Sequence, residues 1–201
     1  MKSSFRSVAL ACVLLYCFLS SPFCEGQDAR SHRVARGTSA PSERVKDRDS
    51  DGDIACYFSP KGGCTEAVVR ELDAAKHTVL VQAYSFTSTP IAKALLEAHK
   101  RGVKITVILD KSNRKDNYSA ADFIAHADIP CFIDAQHSIA HNKVMLIDGR
   151  TIITGSFNFT KAAETSNAEN LLVIHDHPKL FAAYEANFKK HLEHSDKYEG
   201  R

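Results

Sequence analysis

His141, Lys143, Ser156 and Asn158 are the side chains whose types and spacing suit chemistry on a charged substrate. His141 and Lys143 are two residues apart, so on an extended strand they project to the same side of a sheet. Two apolar runs follow, 144–147 and 151–154, separated by Asp148-Gly149-Arg150, and together they read as a β-hairpin. Gly155-Ser156-Phe157-Asn158 then returns the chain to the level of His141. One end of the hairpin thus collects an imidazole, an ammonium, a hydroxyl and a carboxamide. That set suits a phosphate: Lys143 supplies charge, Ser156 and Asn158 supply hydrogen bonds, and His141 can attack or transfer a proton. A phosphodiester resists attack because its anionic oxygens repel nucleophiles, so an enzyme must neutralise that charge and protonate the leaving oxygen. Asp148, at the far end of the hairpin, is out of reach of such a phosphate and is expected to be structural, capping the turn.

The elements around the hairpin alternate. Strands are expected at 54–58, 78–84, 103–109, 129–133 and 170–174. Helices are expected at 65–76, with Ala67, Val68, Leu72 and Ala75 inward, at 90–101, with Ile91, Ala94, Leu95 and Ala98 inward, and at 118–126. A closing helix over 180–192 places Leu180, Tyr184, Phe188 and Leu192 on one stripe. The run 103–109 is almost continuously apolar, as a strand buried on both faces requires. The pattern predicts an α/β fold, a mixed β-sheet sandwiched between helices on both faces, in one domain over 54–195 with a short tail, 196–201.

Residues 1–26 read as a signal peptide: a basic start, an apolar stretch over 8–19, and a polar end with small residues before a cut after Gly26. Export to a periplasm or beyond is expected, with an uncleaved membrane anchor as the alternative. Residues 27–53 read as a flexible polar linker, in which Asp47, Asp49 and Asp51 match the first half of a calcium loop but Phe58 stands where its bidentate glutamate belongs.

The chain has 201 residues, 44% apolar and 25% charged, which is globular composition. A net charge of +2 excludes a molecule-wide basic field, so any hold on a polyanion must be local. One local patch is Lys111, Arg114 and Lys115, following the third strand at the edge where open α/β sheets bind ligands. There is no tryptophan, so base stacking would fall to Tyr, Phe or Arg. Three cysteines, Cys56, Cys64 and Cys131, lie beyond residue 26; the first two can pair across a short loop, and Cys131 reads as a core residue. No paired spacing suggests metal ligands, and His137, His175 and His177 read as surface or loop histidines.

The spacing H-x-K-x4-D-x6-G-S-x-N, met by His141, Lys143, Asp148, Gly155, Ser156 and Asn158, resembles the HKD motif of the phospholipase D superfamily. The stretch 55–190 looks most like the small Nuc-type bacterial endonucleases, which carry one such motif per chain. The resemblance implies the same α/β fold and a metal-independent phosphodiesterase. It implies that His141 attacks phosphorus to form a phosphohistidine, that Lys143 and Asn158 hold the non-bridging oxygens with Ser156 in support, and that Glu169 hydrogen-bonds His141; Gly155 would be structural. No second motif is present. The leaving group's proton donor is therefore expected from a second copy, in a two-fold homodimer. The substrate this implies is DNA, with RNA a further candidate and phospholipid, such as cardiolipin, the alternative; no cofactor is implied.

Overall fold

Strand β6, Lys143–Ile147, is buried at every position, and the fold is built outward from it. Val144 and Leu146 face one side of the sheet, Met145 and Ile147 the other, and each set joins a different hydrophobic cluster. A strand can be apolar throughout only when both faces are covered. The computed structural model describes residues 43–45 and 53–201, which fall within one compact unit, Gly37–Arg201.

Among these residues the strands are β1 (Glu43–Val45), β2 (Asp53–Ser59), β3 (Thr78–Ala83), β4 (Lys104–Asp110), β5 (Cys131–Asp134), β6, β7 (Thr151–Gly155), β8 (Glu169–His175) and β9 (Asp196–Tyr198). They form one mixed sheet in the order β1-β2-β8-β7-β6-β3-β4-β5-β9. The β3–β4 and β4–β5 pairs are parallel, and every other pair is antiparallel. Helices α1 (Cys64–Ala74), α2 (Thr89–Lys100), α3 (Ala121–His126) and the short α4 (Lys161–Thr165) bury residues in the cluster on one face, while α5 (Pro178–Glu193) closes the other. The α/β sandwich expected from the sequence is the fold observed.

The β6–β7 hairpin turns through Asp148 and Gly149, both at positive φ (53° and 73°), the conformation that suits Asp-Gly in a tight turn. Asp148 does not cap that turn as expected. Its carboxylate accepts the backbone N–H groups of Lys76, His77 and Thr78, each at 2.8 Å, and ties the entry of β3 to the hairpin. Burial alone would raise its pKa, but these three donors outweigh it and hold the carboxyl below its ordinary range.

Three further expectations are corrected. The stripe of α5 is Phe181, Tyr184, Phe188 and Leu192, and Leu180 lies on the exposed side. Pro178 takes the first helical turn, and only the first residue of the expected stripe changes, from Leu180 to Phe181. Residues 196–201 are not a loose tail. β9 pairs with β5, and Arg201 clamps Asp122 through two guanidinium hydrogen bonds of 3.0 and 2.8 Å. Within the expected linker 27–53, Glu43–Val45 forms an edge strand on β2. The expected signal segment and the half calcium loop lie outside the described residues.

Cys64 and Cys131 are free thiols in the core, each pushed up to about 12 by burial, so Cys64 does not bridge to Cys56. Among the described residues no helix is long and apolar enough to cross a membrane.

Candidate active site

The expected constellation assembles at one end of β6, β7 and β8. Lys143 opens β6 opposite Ala83 of β3, and Glu169 opens β8 opposite Ser59 of β2. Ser156 and Asn158 follow β7, where Phe157 and Phe159 are fully buried. The alternation drives the two phenylalanines into the core and leaves the polar pair on the opposite side. The exit from β7 is possible only at glycine. Gly155 sits at φ 141°, and an added Cβ would collide with the carbonyl oxygen of Asn170 on β8.

Lys143 is only 7% exposed. Its Nζ donates to the carbonyl oxygen of His141 at 2.8 Å and stands 5.2 Å from the centre of the Tyr84 ring. Burial lowers its pKa, and the charge of Glu169 resists that shift. Ser156 Oγ donates to Glu169 Oε2 at 2.6 Å and accepts the N–H of Asn170 at 3.1 Å. Asn158 keeps a buried Oδ1 with no hydrogen-bond partner among the described residues.

His141 is exposed, and its ring packs against Tyr84 with centroids 4.7 Å apart. The expected Glu169–His141 hydrogen bond is not present among the described residues. Glu169 is engaged by Ser156 and by Asn167 Nδ2 at 3.1 Å, and its charge opposes the burial shift of Lys143.

Three supporting residues carry no motif. Asp110, 3% exposed at the end of β4, accepts the N–H of Ala140 at 2.7 Å and so fixes the backbone next to His141. Tyr84 donates its N–H to Asn142 at 2.9 Å. Asn113 Nδ2 donates to the Tyr84 carbonyl at 2.6 Å and holds Tyr84 from behind. The one available signal was position: Tyr84 directly follows β3 and Asp110 ends β4, at the edge where α/β sheets place their sites.

The basic patch is partly spoken for. Residues Lys111–Arg114 form a 3-10 turn in which Lys111 Nζ donates to the His137 carbonyl at 2.8 Å and Arg114 lies 3.5 Å from Asp196. Lys115 is exposed.

Four side chains that could hold a metal ion come together in the fold, although no paired spacing in the sequence suggested them. Asp134, His137, His191 and His194 meet beside the end of β5, outside the His141 constellation. His137 is therefore no isolated loop histidine. The His-x-x-His spacing at 191–194 was visible, but its partners stand some 54 to 60 positions away in sequence. His175 packs at the other end of the sheet, its Nδ1 3.0 Å from Thr151 Oγ1, and His177 precedes α5 with its Nε2 buried.

A family model described as "Cardiolipin synthase, PLD-like domain" matches residues 68–192, which span the whole constellation. The chain belongs to the phospholipase D superfamily. As a member it is a phosphodiesterase of the single-domain, Nuc-like type. It is 40% identical over 139 residues to a phospholipase D of Rickettsia prowazekii, covering 69% of this chain and 67% of that protein. It is 34% identical over 135 residues to a mitochondrial cardiolipin hydrolase of Chlamydomonas reinhardtii, covering 67% of this chain and 60% of that one. The crystal structure of Nuc from Salmonella typhimurium, a phospholipase D family member, superposes with a TM-score of 0.71 at 37% identity, over 74% of this chain and 99% of Nuc. NucT from Helicobacter pylori, at 22% identity and a TM-score of 0.69, shares the fold.

Proposed function

We propose that this phosphodiesterase is an endonuclease that cleaves DNA, and RNA where accessible, through a phosphohistidine formed on His141 in a two-fold homodimer. The observation that carries the chemistry is the convergence of His141, Lys143, Ser156 and Asn158 at one sheet end, with the imidazole exposed and the ammonium buried. In the first step a neutral His141 nitrogen gives its electron pair to phosphorus. The bond to the leaving oxygen breaks, and His141 of the partner subunit, protonated, gives that oxygen its proton. In the second step the partner's His141 takes a proton from water. The resulting hydroxide attacks phosphorus, and the P–N pair returns to His141. Lys143 and Asn158 stabilise the charge on the non-bridging oxygens. Glu169 is a positioning residue that keeps Lys143 cationic and orients Ser156. No step calls on a metal at phosphorus.

Nucleic acid is favoured by the surface beside the site. Tyr118, 85% exposed, and Phe123 flank a cleft of about 210 Å³ that also includes Lys93, Thr87 and Ser88. The N–H groups of Thr87 and Ser88 donate to the Phe159 carbonyl, next to Asn158, so the cleft borders the candidate site. Exposed aromatic rings beside a cation suit unstacked bases. The second reading, hydrolysis of a phospholipid such as cardiolipin, is favoured by the names of the curated relatives.

The deciding assay supplies plasmid, single-stranded DNA, RNA and cardiolipin vesicles in EDTA, at a temperature where the metal-free chain is folded. DNA cleavage is expected to persist; turnover confined to cardiolipin would replace the first reading by the second. His141→Ala is expected to lose turnover and the acid-labile, base-stable phosphoenzyme together. Near-normal turnover in that variant would reject His141 as nucleophile.

A further inference from the structure

We propose that Asp134, His137, His191 and His194 form a binding site for one zinc-like divalent cation that staples α5 to the loop leading into His141. Asp134 ends β5 with its side chain fully enclosed. His137 lies three residues on, and His191 and His194 stand a turn apart at the C-terminal end of α5. From Asp134 Oδ2 the distances are 3.0 Å to His137 Nδ1, 2.7 Å to His191 Nδ1 and 3.4 Å to His194 Nε2. All four ligand atoms lie within 4.8 Å of one another.

The three distances from Asp134 are close to those between ligands around a small cation, and the wider spread of the cluster, up to 4.8 Å, is one that side-chain rotation closes. With bonds of about 2.0–2.1 Å, the edges of a tetrahedron are about 3.3 Å long. The three rings are inclined at 31° to 58° to one another, with centroids 4.8 to 5.4 Å apart, so they converge on the carboxylate and do not stack in parallel. Three imidazoles and one carboxylate are the nitrogen and oxygen donors that zinc accepts in a four-coordinate site. The supporting hydrogen bond is also in place. The N–H of Gln136 donates to Asp134 Oδ1 at 3.1 Å; His137 Nδ1 lies between the two carboxylate oxygens, 3.1 Å from Oδ1, while His191 and His194 face Oδ2.

The alternative is a pure hydrogen-bond network, in which three ring N–H groups crowd one enclosed carboxylate. A cation satisfies the same four atoms with each imidazole neutral.

The position gives the site its consequence. His137 is four residues before His141, its carbonyl accepts from Lys111, and Ala140 between them is held by Asp110. A cation bridging His137 to α5 would immobilise that segment from its other end. It would do so without touching phosphorus, so this inference is independent of the choice between nucleic acid and lipid.

The test uses the full chain, stripped with chelator and titrated with Zn2+ and with Co2+. One equivalent per chain is expected, with tetrahedral d–d bands for Co2+ and a melting temperature that rises with Zn2+ concentration. His137→Asn, on the exposed loop, and the pair His191→Ala with His194→Ala should each weaken binding, the pair by on the order of 100-fold, since each removes direct ligands. Far-UV circular dichroism identifies a variant that has failed to fold; His137→Asn, the most exposed ligand, then carries the test. Binding below one equivalent, or unchanged affinity in His137→Asn, overturns the site. Stoichiometric zinc in a chain with no phosphodiesterase activity would instead leave the site standing and reject the proposed function.

Discussion

At the residue scale the site is a balance between burial and charge around Lys143. The ammonium is useful only while protonated, and burial lowers its pKa against the pull of Glu169. As pH rises through the depressed lysine value the cation is lost, and with it the proposed hold on the phosphate. The alkaline limb of the kcat/KM profile is therefore expected below the ordinary lysine range. Glu169→Gln removes the charge that opposes the shift and should move that limb to lower pH. A limb that stays in place would show that Glu169 does not act through Lys143. Gly155 is equally local. Gly155→Ala must displace Asn170 of β8 or leave φ 141°, and a loss of about 2 kcal/mol in stability by denaturant titration is expected, within the usual cost of backbone strain.

At the element scale the hairpin works because both of its ends are anchored. Asp148 binds three N–H groups at the far end while Asp110 and Tyr84 grip Ala140 and Asn142 at the near end. Asp148→Asn should cost about 2 kcal/mol, the order expected for hydrogen bonds to a charged acceptor. Since the folded pKa lies below the ordinary value, the carboxylate's contribution is present above it and disappears as pH falls through the folded one. The stability difference between wild type and variant should thus be constant above about pH 5 and shrink below about pH 4. The cleft at Tyr118 belongs to this scale as well. Tyr118→Ala should raise KM for single-stranded DNA roughly tenfold with little change in kcat, the size of one lost base stack. An unchanged KM on DNA would remove the nucleic-acid argument drawn from this surface.

For the whole molecule, one constellation per chain makes the second copy part of the proposed mechanism. A mixed dimer of wild type and His141→Ala would hold either a nucleophile or a proton donor, never both. Activity of co-refolded mixtures should then fall as the square of the wild-type fraction. A linear fall would mean that one chain suffices. The zinc site, if filled, adds a brace that lies outside the chemistry, so chelation should lower the melting temperature without abolishing cleavage in the cold.

The hairpin, its polar end and the alternation of strands and helices were legible in the order of residues alone. Those features are local: a two-residue period places His141 with Lys143 and separates Ser156 and Asn158 from Phe157 and Phe159, and apolar runs mark central strands. Their spacing also carried the resemblance that the family match bears out. What reaches the site from elsewhere in the chain became visible only in the folded molecule. Tyr84 and Asp110 reach the site because β3 lies antiparallel beside β6 and β4 parallel beside β3, an order that no local pattern records. The short strand β9 is too brief to show a period, and the phase of α5 was set by its packing on the sheet. Asp134 and His137 meet His191 and His194 because α5 crosses the sheet face above β5 and β6, bringing together groups some 54 to 60 residues apart in sequence. Contacts across that distance are dictated by how layers stack, and layer stacking is a property of the whole fold.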